Sequence, residues 1–210
     1  MIRFWNRLIN MDNGRICKQI FEWNMQFLLN NSWESNLLSV LNEINMQKYF
    51  IDVEHINTND VSEKIMLHIH EKWQHDVVLK PKLRTYNLFK CDTNTESYIL
   101  CNLNKPKRSL LAQLRLGILH LEVETGRYLN VPLENRICKL CNNQVEDEIH
   151  FSCVCTRLQH IRSGIFYTLN VNTDLNVIDQ FIYIMTHPNV KTVANYIFDI
   201  WNFRNSVLFN

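Results

Sequence analysis

The stretch ICKLCNNQVEDEIHFSCVC, residues 137–155, gathers four cysteines and one histidine into nineteen positions. Cys138 and Cys141 make a C-x2-C pair, the turn that lets two thiolates close on one face of a metal; His150 and Cys155 extend it to C-x2-C-x8-H-x4-C. Three soft sulfurs and one imidazole, with no carboxylate or water position among them, predict a closed tetrahedral Zn2+ site whose ion contributes folding energy. Cys153 competes for the fourth place, because H-x2-C also closes a loop. In an extended chain Cys153 and Cys155 share a face, so periodicity leaves both open. Glu146, Asp147 and Glu148 resemble the general base of a zinc hydrolase, but such a base needs an open metal position that a three-Cys, one-His shell lacks. A C-x2-C redox pair needs a thioredoxin-like strand and helix around it, which this stretch does not offer.

Other chemistry-bearing residues point to structure. HEKWQH, residues 70–75, exceeds the zincin spacing by one, putting its histidines off a common helix face. His68, His120, His160 and His187 stand alone, and Cys17, Cys91 and Cys101 lie in apolar contexts that read as core. No glycine-rich phosphate loop, G-x-S-x-G elbow or paired polymerase carboxylates occur. The expectation is a chain without catalysis of its own.

The elements that must position the cluster are helices. With 46% hydrophobic residues but only four Gly and four Pro in 210, a globular helical chain is expected. Apolar spacing predicts helices through Ile16, Ile20, Trp23 and Phe27; through Trp33, Leu37, Leu41 and Ile44 behind a Ser32 cap; and through Val61, Ile65, Ile69 and Trp73, started by Asn59 or Asp60. LRTYNLFK and SYILCNL read as two strands joined at DTNTE. Another helix is expected through Leu110, Leu114, Ile118 and Leu121, and one through Leu158, Ile161, Ile165 and Leu169. The last two run through Leu175–Met185, capped by Thr173 or Asp174, and from Val190 through Trp201 after Pro188, and are expected to pack on the cysteine cluster. The fold class is therefore mostly α with a small β-hairpin, a helical scaffold around a zinc knuckle. Its expected segments are 1–79 helical, 80–136 basic, 137–163 knuckle and 164–210 a closing helical pair.

Charge is segregated beneath a net +1. Residues 52–76 hold six acids against two bases, whereas residues 77–136 hold ten bases against five acids. The middle is suited to a polyanion. Its candidate contacts are Lys80, Lys82, Arg84, Lys105, Lys107, Arg108, Arg115 and Arg127, with Tyr86, Phe89, Tyr98 and Tyr128 as stacking platforms. No apolar run reaches the length of a signal peptide or membrane span, so an intracellular chain, nuclear or cytoplasmic, with reduced thiols is expected.

In order, WNRLINMDNGRICKQIFEWN, KPKLRTYNLFK, SLLAQLRLGILHLEVETGRY and RICKLCNNQVEDEIHFSCVCTRLQHIR resemble the region after the polymerase domain in LINE-type non-LTR retrotransposon proteins. The likeness is strongest over residues 80–162. Its most specific element is the family's CCHC motif, carried here by Arg136, Cys138, Cys141, Glu146, Asp147, Glu148, His150, Phe151, Cys155 and Arg162. That register implies Cys155 as fourth ligand and Cys153 as a departure from the family pattern; Thr156 stands where proline is frequent. The resemblance implies a tail that holds template RNA or target DNA, single-stranded or structured, against an upstream reverse transcriptase whose palm would precede Met1. A zinc-braced protein-interaction scaffold and a transposon-derived relic are the alternative expectations.

Overall fold

Helices follow most of the stretches in which apolar residues recur at 3.6-residue spacing, and they account for nearly every regular element among the described residues. The computed structural model describes residues 2–27, 32–47, 50 and 57–209. These form two compact units, Met1–Trp73 and Gln74–Asn210. No helix among the described residues is long and apolar enough to cross a membrane.

The first unit contains α1 (Ile2–Ile9), α2 (Ile16–Phe27), α3 (Trp33–Glu43) and most of α4 (Thr58–Leu79). Ser32 caps α3 as expected, its hydroxyl accepting the Ser35 N–H at 3.0 Å. Leu37 and Leu41 are fully buried with Trp5 and Val61, joined by Leu8, Phe21 and Ile44. Helix α2 forms where its spacing predicts, yet Ile16, Ile20, Trp23 and Phe27 are all more than half exposed, and Phe21 supplies its buried side.

The second unit contains α5 (Ser97–Leu100), α6 (Lys105–Arg115), α7 (Glu122–Tyr128), α8 (Gln159–Thr168), α9 (Val177–Thr186) and α10 (Val190–Leu208). Helix α10 packs along α6 and also against α8 and α5. Val193, Ala194, Tyr196, Ile197 and Ile200 bring it into one core with Leu111, Leu114, Phe151, Leu158, Phe181 and Ile184. Asn104, Asn176 and Asn189 cap α6, α9 and α10 through their side-chain oxygens, so Asn176 takes the place expected of Thr173 or Asp174.

The β-hairpin is replaced by helical turns: 3-10 turns at Pro81–Leu83 and Tyr86–Leu88, then the single-turn α5. Leu83, Tyr86 and Phe89 recur every third residue, which suits a helical turn, and Phe89 packs edge-on against Phe181 with ring centroids 5.9 Å apart. Beside it Arg115, only 7% exposed, sits 4.4 Å from the Phe89 ring centre and pairs with Glu96 at 2.7 Å.

The helix expected to continue through Ile118 and Leu121 also breaks. Gly117 takes φ +63° after α6, and a Cβ there would lie 2.0 Å from the Lys82 carbonyl oxygen. This close approach seats the 81–84 turn on the α6–α7 corner. Gly117→Ala is expected to destabilise the chain by well over the about 1 kcal/mol of an unfavourable φ alone, since backbone must also move. Urea denaturation of the variant measures it. Cys17 and Cys91 are exposed and Cys101 only partly covered, contrary to the core expected from their apolar neighbours.

Candidate metal centre

Two local structures bring the cluster together. The first is a tight turn closed by an antiparallel bridge between Ile137 and Val145. Cys138 donates its N–H to the Gln144 carbonyl at 2.8 Å, and Glu146 donates to the Arg136 carbonyl at 3.0 Å. Within the turn Asn142 adopts φ 52° and donates to the Cys138 carbonyl at 2.8 Å, folding Cys141 back toward Cys138.

The second is a π-helical turn, His150–Val154, in which the Cys155 N–H donates to the His150 carbonyl at 2.8 Å. On an α-helix residues five apart diverge by about 140° and cannot face one ion. The wider turn brings them to one side. Asp147 accepts the His150 N–H at 2.7 Å, fixing the start of that turn.

As a result the donor atoms of Cys138, Cys141, His150 and Cys155 all lie within 4.8 Å of one another. The Cys138 and Cys155 sulfurs are 3.9 Å apart, and Cys141 Sγ is 3.3 Å from His150 Nε2. A tetrahedral ion with sulfur bonds of about 2.3 Å separates its sulfurs by about 3.8 Å. The four side chains can therefore hold a metal ion. Gln144 Oε1 stands 3.3 Å from His150 Nδ1; a proton donated there leaves Nε2 free to ligate. Two thiols so close cannot both ionise readily: the hydrogen bond to Cys155, then burial, pushes Cys138 up to about 12, while that same bond lowers Cys155. A cation removes the conflict.

Cys153 lies outside the group. It lines a cleft of about 630 Å³ with Gln159, Arg162 and Gln180, and burial pushes its thiol up to about 11. Arg162, itself buried, donates to the Cys155 carbonyl at 2.9 Å and so braces the last ligand from α8.

The acids beside the cluster are committed to structure. Glu146 is fully buried, accepts the Glu122 N–H at 2.9 Å and meets Arg204 of α10 through two bonds of 2.7 Å. Its Oε1 also lies 3.6 Å from Cys138 Sγ. Glu148, equally buried, pairs with Arg84 at 2.6 Å. Further contacts bind the closing helix to the turn: Phe151 meets Trp201 edge-on with centroids 6.2 Å apart, and the Tyr196 hydroxyl donates to the Ser152 carbonyl. Nothing local in the sequence marks Arg204, which stands 58 positions from Glu146.

The candidate anion contacts divide. Lys82 and Arg127 share Glu124, at 3.3 and 2.8 Å. Burial would raise the Glu124 pKa, but hydrogen bonds from Arg127 and Lys82 together hold it below the ordinary carboxylate range. Arg84 and Arg115 are tied to Glu148 and Glu96. Lys107 donates to Asn195 at 2.7 Å, and Arg108 to the Leu103 carbonyl at 3.0 Å. Lys80 and Lys105 are exposed. Of the four candidate platforms, Tyr98 is buried, Phe89 packs on the core, and Tyr86 donates to Glu96 at 2.8 Å; Tyr128 is 68% exposed.

Comparison of the chain with protein-family models, curated proteins and solved structures finds no match.

Proposed function

We propose that the chain is a zinc-braced nucleic-acid-binding module without catalysis of its own, a tail that positions RNA template or target DNA for a retrotransposon reverse transcriptase. The observation that carries this is the three-sulfur, one-imidazole cluster in the C-x2-C-x8-H-x4-C register, in the same unit as the exposed bases Lys80 and Lys105. Zinc is the ion such a soft, closed, four-ligand shell selects, and its role is to hold the fold. The resemblance over residues 80–162 and the basic middle supply the nucleic-acid half, and a single zinc knuckle suits single-stranded RNA. Reduced thiols require an intracellular compartment, nuclear or cytoplasmic. The partner beyond nucleic acid is an upstream polymerase domain.

Titration of labelled single-stranded RNA against salt tests this. Affinity is expected to fall with added salt, with a log–log slope of about −0.7 for each phosphate neutralised. No binding at low salt, or a flat slope, overturns the reading. It would favour a zinc-braced protein-interaction scaffold, a reading to which the pairing of Lys82, Arg84, Arg115 and Arg127 with internal carboxylates lends support.

A further inference from the structure

Tyr128 is the one candidate platform left largely open, and its surroundings are built. It borders a groove of about 410 Å³ lined also by Lys82, Gln113, His120 and Thr125. The Lys82 ammonium lies 5.8 Å from the ring centre and 3.4 Å from the phenol oxygen. The Arg127 guanidinium carbon lies 4.8 Å from the same centre. With both cations in place the residue is still 68% exposed.

Both cations are tethered. Glu124, whose side chain is 4% exposed, holds both, leaving the trio with a single net positive charge. The Lys82 backbone is seated against Gly117, where any side chain would collide with its carbonyl. Position, charge and ring are thus set before anything binds, which lowers the cost of ordering them on a ligand.

A largely exposed aromatic ring with two tethered cations over it suits a flat π-system bearing anionic groups on its flanks. We infer that Tyr128, Lys82 and Arg127 form a seat for one unpaired base of a single-stranded nucleic acid, the ring taking the base and the two cations the neighbouring phosphates. A base inside a duplex already stacks on both faces, so the seat selects single strands. This rests on the nucleic-acid reading above and locates where the strand is engaged.

Fluorescence anisotropy of the full chain with a labelled single-stranded oligonucleotide, and with its duplex, tests the seat. Wild type is expected to prefer the single strand. Tyr128→Ala is expected to weaken that binding about 5- to 150-fold with the salt slope unchanged, because stacking is not ionic, while Tyr128→Phe stays within about twofold. Lys82→Gln and Arg127→Gln are each expected to flatten the slope by about 0.7. If wild type binds RNA and Tyr128→Ala binds equally well, or if the duplex binds more tightly, the seat is wrong and the broader function stands. If wild type binds no nucleic acid, both fall.

Discussion

Cys155→Ser is expected to leave the purified chain without stoichiometric zinc, whereas Cys153→Ser retains one ion per chain, as read by elemental mass spectrometry. Cys155 Sγ shares the cluster, 3.9 Å from Cys138 Sγ, while Cys153 lines the cleft beside Arg162. A serine hydroxyl is not a thiolate at neutral pH, so the shell drops to three donors. The consequence reaches past the knuckle. Cys138, Leu140, Phe151, Cys155 and Leu158 belong to the same core as Leu111, Leu114, Ile197 and Ile200. Structural zinc supplies about 10–16 kcal/mol in zinc-finger peptides, comparable with the about 5–15 kcal/mol that separates a whole domain from its unfolded state. Chelation, like Cys155→Ser, is therefore expected to abolish cooperative unfolding of Gln74–Asn210, seen as loss of the near-ultraviolet signal of Trp201 against Phe151. Retention of zinc by Cys155→Ser together with its loss from Cys153→Ser would reverse the ligand assignment.

The ambiguity that these variants address has a local origin. In an extended strand both cysteines fit, and on an α-helix the i, i+3 spacing of Cys153 from His150 would fit better than the i, i+5 spacing of Cys155. The π-helical turn reverses that preference, and no residue pattern in HFSCV announces it. Elsewhere, periodicity served where burial is one-sided: Leu37 and Leu41 in α3, with Ile44 at its C-cap, and Val193 and Ile197 in α10, occupy the faces their spacing predicts. It located α2 but not its buried side, because Ile16, Ile20, Trp23 and Phe27 make as regular a stripe as any core. At Gly117 a close backbone approach ended a helix whose apolar spacing ran on to Leu121. Charge counting was least informative, since it cannot show that Arg84 meets Glu148 64 positions away or that Arg204 meets Glu146.

That last pair carries the second large effect. Arg204→Met is expected to cost about 3–5 kcal/mol of stability, the magnitude for breaking a buried ion pair by removing one partner. Arg204 is 3% exposed and holds both oxygens of a fully buried Glu146, so the variant strands a carboxylate with no route to water. The stranded charge lies 3.6 Å from the Cys138 sulfur, where it would oppose ionisation of a ligand in a shell that three thiolates already make anionic. Metal affinity is accordingly expected to fall about 10- to 100-fold, as for the loss of other outer partners of metal ligands, and competition with a chromophoric chelator measures it. A double-mutant cycle separates charge from packing. Adding Glu146→Gln to Arg204→Met removes the uncompensated charge yet keeps an oxygen for the Glu122 N–H, so the double variant is expected to be more stable than Arg204→Met alone. If instead the two losses add, Arg204 acts through the packing of α10 and the ion pair contributes nothing of its own. Arg204→Lys is expected to recover only part of the loss, because an ammonium cannot reproduce the two-pronged contact that aims the carboxylate at the turn bearing Cys138.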